Sequence, residues 1–115
     1  MAKLKATTYQ SLVTNVFKGF DVENFVTRKI GNNTTAEFVP SEFFKRDILI
    51  RLHGHPIVRL EKEAVNFTLA GYNTVTTRER VNQFIPGRVY TKNFVPYLDD
   101  EVIEYMKERN TDFRI

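Results

Sequence analysis

The sequence predicts an α+β fold: an antiparallel β-meander with an N-terminal helix, a short helix near residues 76–85, a hairpin and a C-terminal helix. Three observations predict it. Short stretches biased toward strand-forming residues, several alternating apolar with polar and each bounded by turn residues, crowd the middle of the chain from residue 34 to residue 70. The apolar spacing becomes helical on either side of them. The chain has 115 residues, 42% hydrophobic and 27% charged, enough for one core and too few for a second, so residues 1–115 are expected to be a single domain.

Taken in order, Thr7 and Thr8 stand where a helix cap belongs. Leu12, Val16 and Phe20 then repeat at i, i+4 with Val13 and Phe17 beside them, which predicts a helix of about a dozen residues. Phe25 and Val26 begin an apolar patch of open type. Gly31-Asn32-Asn33 is a turn signal, and the following TTAEFVP has strand bias until Pro40 stops it. Arg46 to Leu52 alternates, with Ile48, Ile50 and Leu52 on one face and Asp47, Leu49 and Arg51 on the other. His53-Gly54-His55-Pro56 reads as the turn of a hairpin whose second strand is IVRLE. A third strand, Val65 to Ala70, places Val65, Phe67 and Leu69 together before Gly71.

The period then changes. Thr76 and Glu79 have capping-box spacing, Val81, Phe84 and Ile85 share a helix face, and Pro86-Gly87 ends the helix. Val89-Tyr90 and Phe94 to Leu98 predict a hairpin around Lys92-Asn93. Asp99 or Asp100 would cap a last helix with Val102, Ile103 and Met106 inward, its acidic first turn matching the helix dipole.

Composition excludes several chemistries. With no cysteine there is no disulfide framework, thiolate metal site or cysteine nucleophile. No apolar run reaches the roughly 18–20 residues of a membrane helix, and MAKLKATTYQ lacks the apolar core of a secretory signal, so a small intracellular protein with no membrane contact is expected. Serine occurs only at Ser11 and Ser41, without a Gly-x-Ser-x-Gly elbow, and no Gly-rich phosphate loop is present. Asp99, Asp100 and Glu101 are better explained as helix caps than as an acid/base pair. His53 and His55 are the only histidines, short of the three or four ligands a metal needs, and are assigned to the turn. The expectation is a protein that is not an enzyme and carries no metal and no cofactor.

Charge directs attention to one region. The formal charge is +3. The stretch 78–98 holds Arg78, Arg80, Arg88 and Lys92 against Glu79 alone, whereas 99–109 is net acidic. A basic zone at a helix start suits an anion: backbone N–H groups, the Thr76 and Thr77 hydroxyls and the planar guanidinium forks of Arg78 and Arg80 can each hold phosphate. Tyr72 precedes this zone, and Arg88 and Tyr90 follow it, so a base could stack while cations hold its phosphates. The competing reading is a capped surface helix whose arginines are solvated or paired with the acidic segment.

The stretch His53-Gly54-His55-Pro56-Ile57-Val58, the string Leu69-x-x-Tyr72-x-Thr74-x-Thr76-Thr77-Arg78-x-Arg80-Val81-Asn82 and the later Pro86-x-x-Val89-Tyr90 together resemble a group of small uncharacterised bacteriophage accessory proteins. That group shares a T-x-T-T-[RK]-x-R-[LV]-N helix start, and the resemblance covers residues 46–98. More distantly, a β-meander followed by C-terminal helices is similar to phage anti-Thoeris nucleotide sponges. That resemblance implies oligomers that sequester cyclic signalling nucleotides without cleaving them; it carries no contact residue onto this chain.

The function expected from these observations is that of a non-catalytic phage accessory or counter-defence protein in the cytoplasm of the infected bacterial host. It would sequester a nucleotide-like phosphate ligand between the subunits of a homo-oligomer. The ligand-binding residues would be Tyr72, Thr76, Thr77, Arg78, Arg80, Asn82, Arg88 and Tyr90. Alternatives are a phage early protein binding nucleic acid through the same basic zone, and a protein-only inhibitor or assembly partner of a host or virion protein.

Overall fold

The computed structural model describes residue 4 and residues 6–18, 26–40, 46–61, 64–69, 74–85, 87–93, 95–99, 101–102 and 113–114. Its core is a six-stranded sheet in the order β1-β2-β3-β4-β5-β9, with every neighbouring pair antiparallel. The strands are β1 (Thr27–Gly31), β2 (Thr34–Pro40), β3 (Arg46–Leu52), β4 (His55–Leu60), β5 (Val65–Phe67) and β9 (Phe113–Arg114). A second sheet holds β6 (Val89–Lys92), β7 (Val95–Leu98) and β8 (Glu101–Val102). The α+β class and the antiparallel meander are as expected.

Register follows from which side chains must be buried. Ala36 lies opposite Ile50, Phe38 opposite Ile48, Ile48 opposite Leu60, Ile50 opposite Val58 and Val58 opposite Phe67. These seven side chains are 2% exposed or less, forming one apolar face. A slip of one residue in any strand would turn its set to water, at about 1.5–3 kcal/mol for each large side chain. Between Ile50 and Arg51 the pairing shifts, so that Arg51 faces Pro56 and Ile57 is the extra residue of a bulge. The bulge lets the strand accommodate a proline and buries Ile57 and Val58 in succession. On the other face, Arg51 Nε donates to Glu37 Oε1 at 2.8 Å and Arg59 Nε to Asp47 Oδ2 at 2.7 Å.

The N-terminal segment covers the apolar face. Thr8 caps it in a reciprocal box with Ser11, as one of the two predicted threonines. The expected helix of about a dozen residues is instead one α-turn, Tyr9–Ser11 (α1), continuing as a π-helical segment, Leu12–Phe17. The wider π turn buries Leu12, Val13 and Phe17 together and sets the Phe17 ring 4.3 Å from Phe38. Lys18, in the left-handed region, closes it.

Three further expectations are corrected. The predicted strand 65–70 ends at Phe67; Thr68 still bonds to Ile57 through its backbone N–H, Leu69 is buried, and Ala70 lies outside the described residues. The short helix is Val75–Asn82 (α2), capped by Thr74 and not Thr76: Thr74 is extended, and its hydroxyl accepts from the Thr77 N–H. Thr77, Arg80 and Val81, spaced i, i+3, i+4, form the buried side of α2. The C-terminal helix does not begin at Asp99. Asp99 adopts a left-handed turn (φ 51°), its N–H donates to the Arg88 carbonyl, and Glu101–Val102 pairs with β7. Asp100 and the rest of that predicted helix, residues 103–112, lie outside the described residues.

Candidate functional site

Two segments singled out separately in the sequence meet at one place. The β3–β4 loop consists of His53 and Gly54, both at positive φ (51° and 82°), the combination a type I′ turn requires. This turn projects His53 and His55, both exposed, from the end of the sheet. The N-terminus of α2 arrives beside them. Between the two lies a partly open cavity of about 400 Å³, lined by Leu52, His53, His55, Ile57, Leu69, Thr74, Thr76 and Thr77.

The lining divides by chemistry. Leu52, Ile57 and Leu69 are buried and supply an apolar surface. Ile57 is there because of the bulge. Thr74, Thr76 and Thr77 supply hydroxyls: Thr77 is buried with its hydroxyl 3.0 Å from that of Thr74, while Thr76 is exposed. The Thr77 N–H is taken by Thr74 Oγ1 and the Arg78 N–H by the Thr74 carbonyl. Helix geometry leaves the Val75 and Thr76 N–H groups without intrahelical acceptors, at the positive end of the helix dipole.

The frame around this cavity is tied down at neighbouring turns. The His53 N–H donates to the Asn33 carbonyl at 2.8 Å, joining the β3–β4 turn to the β1–β2 turn. Arg80, 5% exposed, reaches from α2 and donates from Nη2 to the Asn32 carbonyl at 3.3 Å. The helix is therefore anchored to the same end of the sheet that carries the histidines.

Of the sequence-predicted residues, Thr76 and Thr77 line the cavity. Arg78 is half-buried on α2, outside the lining, and Arg80 is turned to the Asn32 carbonyl. Asn82 is held at the far end of the helix: its Nδ2 donates to the Val89 carbonyl at 2.8 Å and its Oδ1 accepts from the Val89 N–H at 2.6 Å. Arg88 is exposed just before β6, and Tyr90 lies against Tyr97, ring centroids 5.5 Å apart and planes 11° off parallel. Tyr72 lies outside the described residues. The structure thus gathers the threonines with the two histidines and Thr74, and separates them from Asn82, Arg88 and Tyr90. The histidines carried a visible signal, the His-Gly-His string; Leu52, Ile57 and Leu69 look in sequence like any other core residue. Among the described residues no group of three or more His, Asp or Glu could hold a metal, and no helix is long and apolar enough to cross a membrane.

Comparison with known proteins adds family and origin. No curated protein and no solved structure matches the chain. The model of one family, described as Kyanoviridae Gp96 protein, matches residues 7–114, nearly the whole chain and well beyond the 46–98 stretch that carried the sequence resemblance. That match establishes phage origin and says nothing of sequestration. On this length of match, the chain belongs to the Kyanoviridae Gp96 protein family, a family of phage proteins.

Proposed function

We propose that this phage protein is a non-catalytic binder that holds a small phosphate-bearing ligand of nucleotide size in the cavity between the β3–β4 turn and the start of α2. The observation that supports this most directly is the lining itself: an apolar floor, three threonines and two imidazoles around about 400 Å³. That volume falls within the range of small-molecule sites, and the mixture of one apolar surface with a few polar groups is their usual composition. The floor of Leu52, Ile57 and Leu69 would receive a flat ring. The phosphate would take the Thr76 hydroxyl and the Val75 and Thr76 N–H groups, with His53 and His55 donating from the rim. The lining holds no carboxylate, so an anion meets no like charge from it. Arg78 and Arg80 on the same helix add positive potential without touching the floor. The open side of the cavity leaves room for a second subunit, and a homo-oligomer would bury the ligand further.

Calorimetry against inorganic phosphate, nucleoside monophosphates, cyclic dinucleotides and ADP-ribose tests the reading, with native mass spectrometry reporting subunit number. Saturable heat is expected from at least one nucleotide, weakened on the order of tenfold by the Thr76→Val, His55→Ala double substitution, which removes two polar contacts. Absence of heat from every probe, on protein with native circular dichroism, overturns it.

A further inference from the structure

The small sheet carries a second surface that shares no residue with the cavity. Along β6 and β7 side chains alternate. Val89 and Pro96 are buried beneath, and Leu98 packs against the core. On the opposite face Tyr90 lies directly across from Tyr97 and Lys92 from Val95, while Arg88 continues the alternation just before the strand. The two rings stack at 5.5 Å and 11°, forming one aromatic surface, half-buried at its edges. Lys92 and Val95 are exposed, Val95 at 37%.

The cations on this face are uncommitted in a way other arginines are not. Arg51 and Arg59 are spent on Glu37 and Asp47, and Arg80 on the Asn32 carbonyl. Among the described residues, neither the Arg88 guanidinium nor the Lys92 ammonium meets an acceptor, and neither the Tyr90 nor the Tyr97 hydroxyl is hydrogen-bonded. The Asp99 carboxylate is engaged by the Arg88 backbone, its Oδ1 accepting from the Arg88 N–H at 3.1 Å.

We propose that this face is a platform for single-stranded nucleic acid. A tyrosine pair on an open sheet face is sequence-tolerant, because every base has a π-face to lay on it, and Arg88 and Lys92 at its margin would follow the phosphates. Charge favours this occupant over a neutral protein surface, and the stacked tyrosine pair favours it over an acidic one, since successive bases present planar faces to the rings. A duplex, with its bases already stacked inside, would gain only the two cationic contacts.

Fluorescence anisotropy of a labelled ten-nucleotide oligo-dT, with the matching duplex alongside, tests the proposal at low salt. Expected are saturable binding of the single strand, weaker binding of the duplex, and a loss of on the order of tenfold for Tyr97→Ala with Tyr97→Phe near native, since stacking needs the ring and not the hydroxyl. Because Tyr97→Ala could disturb the hairpin, Arg88→Gln with Lys92→Gln provides a second measurement. Both sites are exposed, and their loss should lower the slope of log affinity against log salt by about 1.4, at roughly 0.7 per phosphate contact on a single strand. No binding by folded protein, equal binding of duplex, or an unchanged salt slope overturns the proposal. So does self-association by sedimentation that the Arg88 and Lys92 substitutions abolish. Nucleotide heat at the cavity is a separate readout, so either idea can fail alone.

Discussion

Replacing Asn82 by alanine tests a role that the structure adds to the ligand contact expected from sequence, that of a clamp between two elements of the fold. In the structure the Asn82 amide donates to the Val89 carbonyl at 2.8 Å and accepts from the Val89 N–H at 2.6 Å, and so joins the end of α2 to the first strand of the small sheet. Val89 is 2% exposed, so Asn82→Ala leaves a buried N–H and a buried carbonyl without their partners. Each such group costs about 1–3 kcal/mol. Asn82 itself is half-buried, so water can reach part of the vacated space, and the lower end applies: roughly 2–3 kcal/mol in all. At about 4 °C per kcal/mol for a chain of this size, the melting temperature should fall by about 8–12 °C. Asn82→Asp should be no better, because a carboxylate faces the Val89 carbonyl with an acceptor where a donor is needed. Gln83→Ala is the control: its Oε1 accepts one bond from the Leu4 N–H at 3.0 Å, and its loss should cost about 0.5–1.5 kcal/mol. Thermal scans followed by circular dichroism decide. A melting temperature for Asn82→Ala within about 2 °C of native, on that same scale, refutes the clamp.

Two glycines should respond differently to alanine. At Gly54 an added Cβ meets nothing within 4 Å, but φ is +82°, so Gly54→Ala should cost only the backbone strain, about 1 kcal/mol in urea titration. At Gly31 the Cβ would run into the Leu4 side chain, so Gly31→Ala should cost about 1–3 kcal/mol, and a second substitution, Leu4→Ala, should cost less on that background than on the native one. Alkaline pH should also destabilise the fold through Tyr9. Burial, and then the Asp47 carboxylate, raise its hydroxyl above the ordinary tyrosine value, with Arg46 opposing, and the hydroxyl donates to the Arg46 carbonyl at 2.7 Å. The unfolded chain therefore ionises Tyr9 first. Stability is intact below about pH 10 and declines as pH climbs from there through the folded value, and Tyr9→Phe should flatten that decline.

The meander was legible because its signal is strictly local. Arg46 to Leu52 matches β3 end to end, since alternation over seven residues leaves one register that buries Ile48, Ile50 and Leu52. The Gly31-Asn32-Asn33 and His53-Gly54 turns were readable for the same reason, as few residues tolerate positive φ. The misplaced features are those where several residues qualify equally. Thr74, Thr76 and Thr77 can each cap a helix; the structure uses Thr74, whose hydroxyl accepts from the Thr77 N–H, and residue type alone does not choose among the three. Val16 and Phe17 fit an α-helical stripe, but a π turn serves the sheet below better, and no local spacing distinguishes them. Asp99 has the chemistry of a cap, yet the bond from its N–H to the Arg88 carbonyl, eleven residues back, makes it a turn into β8.

The candidate site shows where reading by segments stops. In sequence, His53-Gly54-His55 is a metal motif short of ligands and Thr76 to Arg80 a helix start, and each alone has an unremarkable explanation. What joins them is the Arg80 bond to the Asn32 carbonyl and the His53 bond to the Asn33 carbonyl, both between residues distant in sequence. Conversely, Arg88 and Tyr90 follow the threonines closely along the chain, yet one lies just before β6 and the other within it, and neither lines the cavity. Register places Tyr97 opposite Tyr90, a neighbour that spacing along the chain does not indicate. A basic zone defined by residue number can therefore be divided between two surfaces, and the ligands we propose for them differ: a small phosphate compound at the cavity and a single strand at the tyrosine pair. Ligand binding lost through the cavity substitutions but untouched at Tyr97 would show that the two are independent.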